Sequence, residues 1–186
     1  MKYLIAGLGN IGAEYELTRH NVGFLTLDQL AEDQDVNFTL DRQAYHCSFK
    51  HKGREIHLIK PTTYMNLSGK AVNYWLQHLK ITVDRLLVVT DDIALPFGKL
   101  RMKAKGSAAG HNGLKNIEQV IGHNRYPRLR FGVGDDFPKG RQVDYVLSRF
   151  EAREFDELPS YILRANQMIL GFCSLGVDRT MNQFNQ

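Results

Sequence analysis

Apolar and polar positions recur along this chain with two periods, and the switches between them outline its elements. Residues 3–8 form a continuous apolar run ending in Gly7-Leu8-Gly9-Asn10, which predicts a buried central strand feeding a tight turn. Phe24, Leu27, Leu30 and Ala31 then recur at helical spacing, predicting a helix over 20–33. Segments 44–50 and 54–60 alternate around Lys52-Gly53, the pattern of a hairpin. Leu67, Ala71, Tyr74, Trp75 and Leu79 mark a second helix, with Asn66 placed to cap it. Leu86-Leu87-Val88-Val89 reads as another buried strand, running into Thr90-Asp91-Asp92. Alternation over 99–103 puts Lys99, Arg101 and Lys103 on one strand face. Leu114, Ile117, Val120 and Ile121 predict a helix after His111-Asn112-Gly113, residues 129–133 a strand, and 155–175 a largely helical end.

Strands alternating with helices predict an α/β fold, here a single-domain α/β/α sandwich with a mixed, mostly parallel central sheet. There is no repeat, low-complexity tract or long linker, so residues 1–186 are expected to form one domain. In such sheets sites gather at the carboxyl ends of strands, which is where Asn10 and Asp91 fall.

Composition narrows the class. No stretch of about eighteen apolar residues exists, so no membrane span is expected, and the N-terminal run reads as an opening strand and not a signal peptide. The two cysteines, Cys47 and Cys173, lie far apart in apolar surroundings, which argues for packed free thiols in a reducing, cytoplasmic setting. No Cys or His spacing resembles a zinc site, so no metal is expected. The net charge of +4 is mild, but its distribution is not. Lys99, Arg101, Lys103 and Lys105 form one basic cluster, and Arg125, Arg128 and Arg130 another. Such clusters suit a polyanion such as nucleic acid, and equally a solvated strand face.

Four segments concentrate polar residues among Gly, Pro and apolar neighbours. They are Gly7-Leu8-Gly9-Asn10, Thr18-Arg19-His20-Asn21-Val22-Gly23, the stretch from Lys60-Pro61 through Tyr64-Met65-Asn66 to Ser68-Gly69, and Gly110-His111-Asn112-Gly113. Gly7, Gly9 and Gly12 match Gly-x-Gly-x-x-Gly in spacing, but no apolar helix opens at that turn, which weakens a dinucleotide-binding reading.

Together, and in this order and spacing, these segments resemble the bacterial-type peptidyl-tRNA hydrolases, from Leu4 to about Phe150 and loosely into the last helix. The resemblance implies a cofactor-free enzyme that cleaves the ester between a peptide and the 3′ end of tRNA, recycling the tRNA. It implies His20 as catalytic base, Asp91 as its partner, and Asn10, Asn66 and Asn112 lining the peptide and ester end of the cleft. Asn10 is counted with the catalytic residues, and a side-chain amide among the three would also suit a developing oxyanion. Tyr15 and Met65 would supply apolar walls, Lys103 and Arg130 a clamp on the tRNA 5′ phosphate, and Lys105 an auxiliary contact. A monomer acting on the tRNA acceptor stem is the expected form.

Physical chemistry agrees with those roles. A neutral imidazole takes a proton from water near neutral pH, and a carboxylate on its other nitrogen fixes the tautomer. Asparagine offers donors and an acceptor without charge, which suits a peptide backbone of variable sequence. Taken alone, each residue has a plainer reading: His20 a helix-start histidine bonded to a local carbonyl, Asp91 a strand-end turn residue or cap with Asp92 next door as the other candidate partner, the asparagines turn and cap residues. His111 reads as support for the Gly-rich loop, and His46, His51, His57, His78 and His123 as surface or hairpin residues.

The chain departs from the family at three places: Ile11 replaces the usual proline, Ala94 an acidic residue, and Ala108 and Ala109 glycines. Two rivals follow. A non-catalytic RNA-binding relative, like the plant organelle splicing factors on this fold, would bind RNA without turnover. A nicotinamide-dependent oxidoreductase would bind NAD saturably.

Overall fold

The computed structural model describes residues 1–185. The chain runs β1 (Lys2–Gly7), α1 (Val22–Asp33), β2 (Thr39–Asp41), β3 (Ala44–His51), β4 (Arg54–Pro61), α2 (Ser68–Leu79) and β5 (Leu86–Asp92). It continues through β6 (Leu100–Lys103), α3 (Asn112–Ile121), β7 (Arg128–Gly132), α4 (Gln142–Val146), α5 (Ala152–Leu175) and α6 (Val177–Phe184).

The seven strands form one sheet in the order β2-β3-β4-β1-β5-β7-β6. The central strands β4, β1, β5 and β7 run parallel, while β2, β3 and β6 pair antiparallel at the edges. Side chains alternate across the sheet, so β1 serves two cores. Tyr3 and Ile5 pack with Leu27 and Leu30 of α1 and with Ile162 and Met168 of α5. Leu4 and Ala6 face the other way, toward Val72 and Trp75 of α2 and Leu114 and Ile117 of α3. Each fully buried Leu or Ile contributes about 1.5–3 kcal/mol of transfer free energy, and β5, buried along its whole length, anchors the centre. No helix among the described residues is long and apolar enough to cross a membrane.

Two glycines bring α1 down onto the strand ends. A Cβ on Gly7 would lie 2.5 Å from the Gly23 carbonyl oxygen, and one on Gly23 would lie 2.6 Å from both Leu8 N and Val89 O. This close approach sets the start of α1 over β1 and β5. Gly9 is occupied similarly, since a Cβ there would meet the Phe24 ring at 2.8 Å. The glycine-rich turn therefore seats α1 against the sheet.

Two expectations need correction, for Asn66 and Arg128, and one is sharpened, for His57. Asn66 does not cap α2: it lies inside a single 3₁₀ turn, Met65–Leu67, and the helix starts at Ser68 without a side-chain cap. Of the surface and hairpin places expected for the remaining histidines, His57 takes the hairpin, on its inner face. It is 4% exposed, paired with His46 at 2.8 Å and Glu55 at 2.7 Å, because β4 turns that face toward Trp75, on which His46 stacks. Arg128 does not join a surface basic cluster, since its side chain is fully buried over the Tyr126 ring and near Glu118. Both cysteines are buried and unpaired, and burial pushes their thiols up to about 11 for Cys47 and about 12 for Cys173.

Candidate active site

His20 lies in a 3₁₀ turn, Arg19–Asn21, just ahead of α1. Its neighbours anchor that turn on both sides. The buried Arg19 guanidinium donates to Glu154 Oε1 and to the Arg149 carbonyl, each at 2.9 Å, and stacks 4.1 Å from the Tyr145 ring. The Asn21 amide accepts from Asn10 N and donates to Asn10 O, both at 2.8 Å. Neither Arg19 nor Asn21 was singled out from the sequence. The signal available was their place on either side of His20.

Asp91, near the end of β5, receives two imidazoles. Its Oδ2 meets His20 Nδ1 at 2.9 Å, and its Oδ1 meets His111 Nε2 at 2.9 Å. His111 Nδ1 accepts from the backbone N–H of Gly113 (3.1 Å) and Leu114 (3.4 Å), capping α3. That acceptor role places the His111 proton on Nε2, aimed at Asp91. His20 likewise donates Nδ1–H to Asp91, which leaves the Nε2 lone pair available. His111 thus supports its loop as expected and is also the second partner of Asp91. Asp92 faces elsewhere, with Oδ1 accepting from Ala94 N and Oδ2 3.4 Å from Arg130 Nη1.

Burial disfavours charge on Asp91, but the attraction of His20 and His111 and their hydrogen bonds prevail and hold its carboxyl well below the usual carboxylate range. Burial also disfavours the His20 cation, and the field and hydrogen bond of Asp91 outweigh it, raising the His20 pKa above its ordinary value. The arrangement is a polarised base with an anionic partner.

The remaining candidates lie around this centre unevenly. Asn10 follows β1, while Asn66 and Asn112 are drawn together by two contacts between their neighbours. Asn116 Oδ1 accepts from Gly69 N at 2.7 Å, and a Cβ on Gly113 would lie 2.8 Å from Met65 Sδ and 2.9 Å from Leu8 Cδ1. Met65 is buried in that junction. The side chains of Asn10, Asn66 and Asn112 make no hydrogen bond to any described residue, leaving three free amides. Tyr15 is half-buried in the turn Ala13–Tyr15.

Lys103 and Arg130 share a face of the β6–β7 pair, with Lys103 opposite Arg128 and Arg130 opposite Arg101. Lys103 is exposed. Arg130 is engaged by Asp92 and, at 2.7 Å, by the Ser107 carbonyl, so an anion there must compete with a carboxylate.

A cation has one candidate set among the described residues, since ligand atoms of His20, Asp91 and His111 lie within 4.8 Å of one another. Both imidazoles already bond the carboxylate, and a shared ion would have to replace both hydrogen bonds. The three residues fit a hydrogen-bonded relay better than a ligand set.

A peptidyl-tRNA hydrolase family model matches residues 4–186. The chain is 58% identical to the peptidyl-tRNA hydrolase of Cytophaga hutchinsonii, covering all of this chain and 98% of that one. It is 56% identical to that of Porphyromonas gingivalis over the full length of both. The crystal structure of the peptidyl-tRNA hydrolase from Acinetobacter baumannii superposes with a TM-score of 0.92 at 32% identity, covering 98% of this chain and 94% of the other.

Proposed function

The chain belongs to the peptidyl-tRNA hydrolase family, and from that premise we propose how its cleft hydrolyses peptidyl-tRNA, with His20 as general base. The observation that supports this most directly is the 2.9 Å bond from His20 Nδ1 to the buried Asp91 carboxylate, which leaves Nε2 as the acceptor. A water bonded to Nε2 gives up its proton as its oxygen attacks the ester carbonyl carbon. The carbonyl electron pair moves onto oxygen, where the Asn10 amide donates to it, a type of contact worth about 3 kcal/mol. Collapse breaks the bond to the ribose oxygen, which takes the proton from His20. Free tRNA and a peptide carboxylic acid result, the acid giving its remaining proton to solvent to become the carboxylate, and no step needs a cofactor or metal.

In this reading Asn66 and Asn112 hold the peptide backbone, and Tyr15 and Met65 wall it. Lys103 and Arg130, with Arg130 exchanging Asp92 for phosphate, receive the 5′ phosphate beside the acceptor stem. Phosphate contacts position a substrate without reading its sequence, which suits an enzyme that acts on many tRNAs. Residues 1–186 act as one domain and as a monomer in the cytoplasm, in keeping with two buried free thiols.

The test is release of tRNA from an N-acetyl-aminoacyl-tRNA, with and without a chelator, beside His20→Ala. Turnover that survives the chelator and disappears in the variant supports the scheme. Undiminished turnover by His20→Ala removes the base. Bound tRNA without turnover in the wild type favours an RNA-binding module.

A further inference from the structure

Beside Asn10, on the opposite side of β1 from Asp91, lies a cavity of about 330 Å³. That is within the range of sites that take small groups. Its walls come from the loop after β1, from α1, and from Tyr45 of β3 and Lys60 of β4. One wall is a constructed feature. Lys60 is hydrogen-bonded to Asp28, and its ammonium lies 4.5 Å from the Phe38 ring and 5.6 Å from those of Phe24 and Tyr45. The cation is thus neutralised and enclosed by aromatic faces. With that pair balanced, the remaining charge in the lining is the exposed carboxylate of Glu16, set among Ile11, Leu17 and Leu25.

Topology says which half of the substrate reaches it. From Asp91, the basic β7–β6 face lies to one side of the sheet, and β1, β4 and β3 lie to the other. An ester placed at His20 with tRNA on the basic side sends its peptide toward Asn10 and the cavity beyond. Asn21 already satisfies the backbone groups of Asn10, so the free Asn10 amide is the polar group between ester and cavity.

We propose that this cavity is the subsite for the side chain of the second peptide residue, counted back from the ester, and that it favours apolar or basic side chains over acidic ones. The proposal rests on the hydrolase reading of the cleft. An apolar side chain fills the Ile11, Leu17, Leu25 and Tyr45 surface, a basic one adds attraction to Glu16, and an acidic one meets repulsion.

The experiment compares kcat/KM on N-acetyl-Phe-tRNA, which has no second residue, with N-acetyl-Leu-Phe-, N-acetyl-Arg-Phe- and N-acetyl-Glu-Phe-tRNA. The Leu and Arg substrates should exceed the Glu substrate by about tenfold. Tyr45→Ala should lower the Leu substrate by about fivefold while N-acetyl-Phe-tRNA is unchanged. Glu16→Lys, an exposed change, should reverse the order of Arg and Glu. Equal rates on the three dipeptidyl substrates in the wild type would overturn the subsite, as would an unaltered order in Glu16→Lys. If N-acetyl-Phe-tRNA itself is not cleaved, the hydrolase reading falls and the subsite with it.

Discussion

Two histidine pairs lie against this sheet, one at the strand ends and one in the hairpin, and the pKa of His20 is raised where those of His46 and His57 are lowered. His20 and His111 have ring centroids 4.9 Å apart, and His46 and His57 5.1 Å apart. Each pair has one carboxylate partner. At the strand ends the carboxylate is the buried group, with Asp91 between two imidazoles and its side chain 3% exposed. In the hairpin the imidazole is buried and the carboxylate is outside, since the Glu55 side chain is 40% exposed and water screens it. Burial disfavours the cation in both regions. Asp91 overcomes it at His20, whereas at His57 burial outweighs the bond to Glu55, and at His46 burial and the neighbouring His57 both act to lower the pKa. The depth of the carboxylate, more than the presence of a His–carboxylate contact, decides whether an imidazole becomes a stronger base.

Removing the buried charge should have the largest effect. Asp91→Asn should lower kcat by roughly 10²–10⁴-fold and move the acid limb of kcat/KM to lower pH, because burial alone then acts on His20. The limb in the wild type should lie above pH 6.5. A pH–rate profile of both proteins checks this, and an unmoved limb would assign it to another group.

The anchoring of the turn separates the two regions next. Arg19→Met leaves Glu154 buried without its partner and should destabilise the protein by about 3–5 kcal/mol in urea unfolding. A loss near zero would mean that the turn holds its place without this ion pair. His111→Asn keeps a side chain able to cap α3 but removes one competitor for Asp91, so the acid limb should move up. A downward shift would show that His111 strengthens the Asp91 field on His20.

The smallest effect belongs to the hairpin. His46 and His57 have lowered folded pKa values, so their contribution is present above their unfolded value near 6.5 and is lost as pH falls toward the folded values. His20 has the opposite linkage. Its contribution is complete below pH 6.5 and fades as pH rises through its raised value. Melting temperatures between pH 6.5 and 5 should therefore fall through His46 and His57, and His57→Phe should flatten that slope with turnover unchanged. A slope as steep in the variant would place the loss elsewhere.

Much of the fold could be read from the chain because the information is local. The apolar run of β1, the alternation of β3 and β4 and the helical spacing of α1, α2 and α3 depend on neighbours within a turn or two. Strand β2 and the short helices α4 and α6 were not anticipated, since three to eight residues leave too little periodicity to detect. The segments carrying His20, Asn10, Asn66 and Asn112 were recognisable as motifs, and the comparisons place the chain in the family they suggested.

What the sequence determined by itself was the longer elements and the side chains offered at the strand ends, because periodicity and turn chemistry are properties of adjacent residues. The tertiary structure showed that Asp91, the partner the resemblance implied, and not Asp92 meets His20, and it alone decided that His57 and Arg128 turn inward and that Asn66 lies in a turn before its helix. Those outcomes join residues as far apart as His20 and Asp91, and they fix which charges water can reach. Burial and long-range pairing set the energy of a charged group, and neither is a property of its neighbours along the chain.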